Sequence, residues 1–233
     1  MTSKINWPEY IARKAREVSD PRIRAFYESQ KLDADTPLEE VRFVAMDFET
    51  TGLNPDEHEI ISIGLVPFDL HRIYLRQTQE WFVQPKRQLT HDSVAIHRIT
   101  HSQLQSAPDL SEVLGPLLEA LNGRIAVVHF RYIERDFLFN AVERLTGEQL
   151  MFPMIDTMEI EDRYHRQAFG TRFKQLLRGR KESVRLADSR ERYSLPRYQL
   201  HSAHIDALAT AELLQAQVHH HFESGARLRD IWS

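Results

Sequence analysis

The stretch Val41-Arg42-Phe43-Val44-Ala45-Met46-Asp47-Phe48-Glu49-Thr50-Thr51-Gly52-Leu53 constrains this chain more than any other. Its apolar, partly β-branched run reads as a buried strand that breaks at Gly52. Side chains alternate along a strand, so Asp47 and Glu49 project from one face, about 7 Å apart at the backbone. No lysine or arginine stands between them, and two carboxylates so placed repel unless a cation separates them. Hard divalent ions such as Mg²⁺ and Mn²⁺ take oxygen ligands of this kind. By itself, Asp-x-Glu at a strand end is also the ordinary signature of acids facing water. The rest of the chain has to decide.

After the turn signal Asn54-Pro55-Asp56, residues 59–68 carry Ile60, Ile61, Ile63, Leu65 and Val66 and read as a mostly buried strand. Residues 72–83 alternate as a third, so the first three strands predict an antiparallel meander. Residues 89–106 read as loop and short helix. Asp109 to Leu121 is amphipathic, with Leu110, Val113, Leu114, Leu117, Leu118 and Leu121 on one side, and Gly123 ends it. Ile125–Val128 is a short buried strand leading to His129, and a helix is expected over 132–145. Residues 153–155 give a brief strand before Asp156-Thr157, which caps a helix to about Gln167. A last long helix spans 203–221, with His219, His220 and His221 as its polar end rather than a metal site. Three strands followed by alternating strands and helices predict an α/β fold, a mixed sheet with helices on both faces.

Residues 1–40 read as a helical N-terminal extension, distinct from a main domain over 41–233. Trp7, Ile11, Ala15 and Val18 share one helical stripe, Asp20-Pro21 is a helix start, and Ile23, Phe26 and Tyr27 form a second stripe. Thr36 and Glu39 suggest a capping box. The extension is expected to pack on the main domain, with docking to a protein partner as the alternative.

Among 233 residues, 42% are apolar and 27% charged, the balance of a soluble globular chain. No apolar run approaches membrane-spanning length and no signal-peptide pattern opens the chain, so a cytoplasmic protein without membrane association is expected. The chain has no cysteine, which leaves oxygen and imidazole as the metal ligands on offer. The net charge of −4 does not advertise a nucleic-acid binder, yet Phe169 to Pro196 holds eight Lys/Arg against three acids. That block suits phosphate binding or a solvated surface equally.

Asp47-Phe48-Glu49-Thr50-Thr51-Gly52-Leu53 resembles the first exonuclease motif of the DEDD superfamily, which includes the proofreading epsilon subunit of bacterial DNA polymerase III. His201-Ser202-Ala203-His204-Ile205-Asp206 resembles the third motif of its histidine-type subgroup, in the right order and some 150 residues downstream. The middle motif departs from the family. Where the pattern runs His-Asn, three residues, Asp, two residues, Phe-Leu, this chain has His129-Phe130-Arg131-Tyr132-Ile133-Glu134-Arg135-Asp136-Phe137-Leu138. Glu134 occupies the acidic slot and Asp136 is its rival. On a helix the two point roughly 200° apart. Glu134 shares a face with Phe137 and Leu138, which pack inward, so Asp136 is expected to face solvent. Ala95-Ile96-His97-Arg98-Ile99-Thr100, Asp156-Thr157 and Arg192-Tyr193-Ser194-Leu195-Pro196 resemble smaller family segments. The resemblance spans about residues 41–218.

The resemblance implies a ribonuclease H-like fold, with a five-stranded mixed sheet of three antiparallel strands plus two parallel ones. It also implies a 3′–5′ exonuclease with two divalent ions, Mg²⁺ or Mn²⁺, about 4 Å apart. Asp47 would bridge both ions, Glu49 and Asp206 would hold the nucleophile-side ion, and Glu134 would serve the second. His201 would be the general base, its ordinary pKa of about 6.5 lying near working pH. Thr50, Thr51 and Leu53 would line the 3′-terminal nucleotide, with His97 near the cleft. The implied substrate is a single-stranded 3′ end, DNA ahead of RNA and short oligonucleotides. The two departures in the middle motif keep open a catalytically impaired fold used as a binding module.

Overall fold

The computed structural model describes residues 5–31, 33–86, 99–170, 183–199 and 202–232. Strand β1 (Phe43–Thr50) lies at the centre of a five-stranded sheet of order β3-β2-β1-β4-β5. Strands β2 (Ile60–Phe68) and β3 (Gln79–Phe82) extend it antiparallel on one side. On the other side, β4 (Ile125–Val128) and β5 (Met154–Asp156) run parallel to β1. This is the mixed sheet the sequence predicts. In chain order the helices are α1 (Trp7–Glu17), α2 (Pro21–Ser29), α3 (His101–Gln105), α4 (Leu110–Leu121), α5 (Tyr132–Thr146), α6 (Thr157–Gly170), α7 (Leu186–Arg192) and α8 (Ala203–His221).

The alternation of β1 divides the core into two layers. Val44, Met46 and Phe48 pack beneath α1, α2, α4 and α5, in a cluster with Ile11, Phe26, Leu114, Leu117, Phe137 and Leu138. Phe43 and Ala45 face the opposite way, with Val66, Ile125, Val127 and Ile155, under Ile160 of α6 and Ala207, Ala211 and Leu214 of α8. Asp47 and Glu49 continue the second series. They therefore emerge on the α8 side as the strand ends, where the β1–β2 register slips between Glu49 and Thr50. Such irregularities re-aim side chains at strand ends.

The N-terminal helices join the first layer through Ile11, Val18, Ile23, Phe26 and Tyr27. Asp20 caps α2, its carboxylate accepting from the N–H groups of Arg22 (2.9 Å) and Ile23 (3.4 Å), with Pro21 at the first helical position. The Tyr27 hydroxyl both donates to the Met151 carbonyl and accepts from the Met151 N–H, at 3.0 Å each. No Thr36–Glu39 capping box forms. Residues Leu38–Glu40 make a single 3₁₀ turn without a side-chain cap, because Pro37 pairs instead with Arg227 near the C-terminus.

The third strand is shorter than the alternation predicts. The Asp69 carboxylate accepts from the N–H groups of His71 (2.8 Å) and Arg72 (2.7 Å) and from the Tyr74 hydroxyl (2.6 Å). This turn folds Ile73 back onto Phe68, and residues Leu75–Gln77 become a 3₁₀ turn before β3 begins. Helix α7, inside the basic block, was not foreseen. It is anchored by the buried Arg190, which donates to the carbonyl of Ala209 (2.6 Å) and to Glu212 (2.7 Å) on α8. Among the described residues no helix is long and apolar enough to cross a membrane.

Gly115 sits in the interior of α4, and a Cβ there would meet nothing nearer than Arg22 Cδ at 3.8 Å, an ordinary contact. Glycine disfavours a helix by about 1 kcal/mol relative to alanine. Gly115→Ala is therefore expected to raise the melting temperature by roughly 2–4 °C in thermal denaturation.

Candidate active site

One strand and two helices converge where β1 ends. Oxygen atoms of Asp47 and Glu49, from β1, and Asp206, from the first turn of α8, all lie within 4.8 Å of one another. Ser202 precedes α8 and its backbone carbonyl accepts from the Asp206 N–H at 2.9 Å, so the aspartate is held in the opening turn. What brings α8 so close is Gly64 on β2, directly across from Asp47. A Cβ at Gly64 would lie 2.3 Å from the Ala203 carbonyl carbon and 2.4 Å from the His204 nitrogen. Bare backbone on β2 is thus what lets the helix start rest on the sheet.

Glu134 enters from the other layer. It lies in the first turn of α5 and is 2% exposed, beside the buried Phe137 and Leu138, whereas Asp136 is exposed. The Glu134 Oε2 atom is buried without a hydrogen-bond partner. Burial pushes the Glu134 carboxyl well above its ordinary value, opposed by its own N–H and that of Phe48 and reinforced by repulsion from Asp156. Asp47 is likewise pushed well above the usual range, first by burial and then by repulsion from Glu134, Asp206 and Glu49. Asp47 thus senses three other carboxylates in a partly desolvated space.

That arrangement fits hard divalent cations. The donors are oxygens, three of them converge, an adjacent carboxylate oxygen is orphaned, and ionising the group without a counter-charge is costly.

Other foreseen residues stand as follows. The Thr50 hydroxyl donates to the Gly52 carbonyl at 2.7 Å, and the Thr51 hydroxyl accepts from the Glu59 N–H at 3.0 Å. Both hold the turn from which Leu53 projects, 81% exposed. His201 and His97 lie outside the described residues. His129 is not at the cluster: its ring nitrogens pair with the Thr157 hydroxyl (2.8 Å) and the Val184 carbonyl (2.9 Å). Tyr193 and Arg192 both engage Glu161 (3.0 and 2.6 Å), a packing role for that segment. His221 pairs with the Tyr193 hydroxyl at 2.7 Å and stacks on Tyr164, as a structural helix end.

Sequence reasoning missed two features of the site. Glu80 of β3, paired with Gly64 and so in line with Asp47, holds His204 Nδ1 at 2.9 Å. Asp156 accepts from the N–H groups of Phe130, Arg131 and Met158, each at 3.0 Å, and so fixes the turn that launches α5 and Glu134. Only the Asp156-Thr157 helix start signalled it.

The fold and the carboxylate group together define a ribonuclease H-like nuclease. The chain belongs to the exonuclease family of ribonuclease T type, whose profile matches residues 44–214. It is homologous to the DNA polymerase III epsilon subunit of Treponema pallidum, 30% identical over 183 residues, covering 78% of this chain and 79% of that protein. The PolC-type DNA polymerase III of Thermotoga petrophila is 30% identical over 184 residues, 79% of this chain but 12% of its own length. The chain thus spans about an eighth of that relative. Among solved structures, the nuclease domain of 3′hExo, a DEDDh family member bound to rAMP, superposes with a TM-score of 0.65 at 18% identity. That match covers 82% of this chain and 97% of the domain.

Proposed function

We propose that this chain removes 5′-mononucleotides from the 3′ end of a single strand, DNA ahead of RNA, by divalent-metal-dependent phosphodiester hydrolysis in the cytoplasm. The observation that carries the reading is the convergence of the Asp47, Glu49 and Asp206 oxygens within 4.8 Å, in a chain of the exonuclease family. Asp47, Glu49, Asp206 and Glu134 would hold a pair of Mg²⁺ or Mn²⁺ ions. When bound, such ions neutralise the scissile phosphate and favour deprotonation of the attacking water. His201, five residues before Asp206, would accept that proton as general base. Leu53 would lie against the terminal base, with Thr50 and Thr51 shaping the turn beneath it and His97 near the cleft. Docking of a protein partner through residues 1–40 would use their outer face, since the inner stripe packs on the sheet.

Mn²⁺- or Mg²⁺-dependent release of mononucleotides from a 3′-labelled single strand tests the reading. Absence of release with either ion, with the strand still bound, would leave the chain as a binding module. Glu134→Gln should reduce turnover by about 10²-fold or more, as expected when a charge-stabilising group is lost, whereas Asp136→Ala should change it little. The reverse result would move the middle acid to Asp136.

A further inference from the structure

The turn before α5 combines backbone strain with exposed aromatic surface. Phe130 has φ 86°, in the left-handed region that asparagine or glycine tolerates and a bulky aromatic does not. Yet its ring gains little burial in return, being 41% exposed, and Tyr132 is 54% exposed. The two rings lie 5.5 Å apart, and the Arg131 guanidinium sits 5.1 Å from the Tyr132 ring centre. Packing favours neither the strain nor the exposure; such combinations concentrate where a ligand is met.

Their position supplies the ligand. Strands β1 and β4 are parallel neighbours, so the turn after β4 opens on the same edge of the sheet as Asp47 and Glu49. The Phe130 N–H is held by Asp156, whose charge also bears on Glu134. Among the described residues five large apolar side chains are exposed, and Leu53, Phe130 and Tyr132 are three of them, all on this edge.

Resting on the nuclease reading above, we propose that Phe130 and Tyr132 form a stacking platform for unpaired bases of the substrate strand, beside the carboxylates. Every base presents a π-face, so the platform is indifferent to sequence, while Arg131, paired with Asp156 and Glu159, holds the Tyr132 ring in place. Base pairing and stacking in a duplex hide those faces, so the platform selects a frayed or single-stranded end. It also accounts for a strained phenylalanine in the slot where the family carries asparagine.

The test compares the intact chain with Phe130→Asn, Tyr132→Ala and Tyr132→Phe. Binding of a fluorescently labelled oligothymidylate is followed by anisotropy, and cleavage of strands with single abasic sites near the 3′ end is followed alongside. Phe130→Asn and Tyr132→Ala should each weaken binding about ten-fold, with the cleavage loss in KM rather than kcat, while Tyr132→Phe retains affinity. An abasic site at the stacked position should penalise the wild type and not the variants. Phe130→Asn should also raise the melting temperature by relieving the strain, which a packing role would not allow. Unchanged oligothymidylate affinity in both weakened variants, or no binding by the wild type, overturns the platform. If the wild type binds but cleaves no strand, the nuclease reading falls while the binding comparison still decides the platform.

Discussion

Asp47→Asn is expected to abolish metal-dependent nuclease activity, by about 10³-fold or more, while raising the melting temperature of the metal-free protein. The two effects have one cause. Asp47 is half-buried beside Glu49 and Asp206 and near Glu134, and desolvation first, then their repulsion, raises its proton affinity well above that of a free carboxyl. A carboxyl with a raised folded-state pKa stabilises the fold fully below its unfolded value of about 4. That contribution is lost as pH climbs through the folded value. Above the unfolded value the metal-free wild type therefore carries a cost, in proton uptake or repulsion, that asparagine, neutral throughout, does not. With metal the order inverts. On the proposed function, the variant would lose one of the carboxylates that hold cations worth several kcal/mol to the transition state. At a hundredfold excess over Kd, Mn²⁺ should raise the wild-type melting temperature by roughly 5–10 °C and the variant's much less. Melting curves from pH 4.5 to 8, in chelator and in Mn²⁺, read both halves. An Asp47→Asn protein that keeps activity, or that melts lower than wild type in chelator at pH 8, would contradict the assignment.

The parts of this molecule that can be read from sequence are those set by local periodicity. The alternation of Phe43 and Ala45 against Val44, Met46 and Phe48 already divides the two layers of the core. Helix α4 announces itself through the apolar stripe Leu110, Val113, Leu114, Leu117, Leu118 and Leu121, and α8 through its start at Ala203. The choice between Glu134 and Asp136 as the inward-facing acid follows from helical angle alone, and the buried neighbours Phe137 and Leu138 lie on the Glu134 side. What fails are features fixed by distant partners. The strand expected over 72–83 yields to the Asp69 turn, since side-chain capping competes with the ladder. The segment of α7 reads as phosphate-binding or solvated charge because nothing local reveals that Arg190 is buried against Ala209 and Glu212. The Glu80–His204 pair joins residues 124 positions apart, beyond any local pattern.

Gly64→Ala is expected to cost the site more than any other single-methyl change, although Gly64 bears no functional group. Glycine inside a buried strand weakens it and marks a close approach of backbone. Here the approaching chain is the start of α8: an added Cβ would sit 2.3 Å from the Ala203 carbonyl carbon and 2.5 Å from its oxygen. Neither is the flexible end of a side chain, so relief must come from moving the helix. Asp206 lies three residues further on and moves with it, away from the Asp47 and Glu49 oxygens it now meets within 4.8 Å. A displacement near 1 Å is enough for a loss of about 10²-fold in turnover. Overpacking of this kind costs about 1–3 kcal/mol, a fall of roughly 3–10 °C in melting temperature. The distinguishing readout is metal: Mn²⁺ should stabilise Gly64→Ala less than wild type, because the ligand set and not only the core is disturbed. Equal Mn²⁺ stabilisation and wild-type turnover in this variant would mean that the approach of α8 to β2 is not what assembles the carboxylates. Gly115→Ala, the same chemical change in open space, separates the effect of the contact from that of the methyl group.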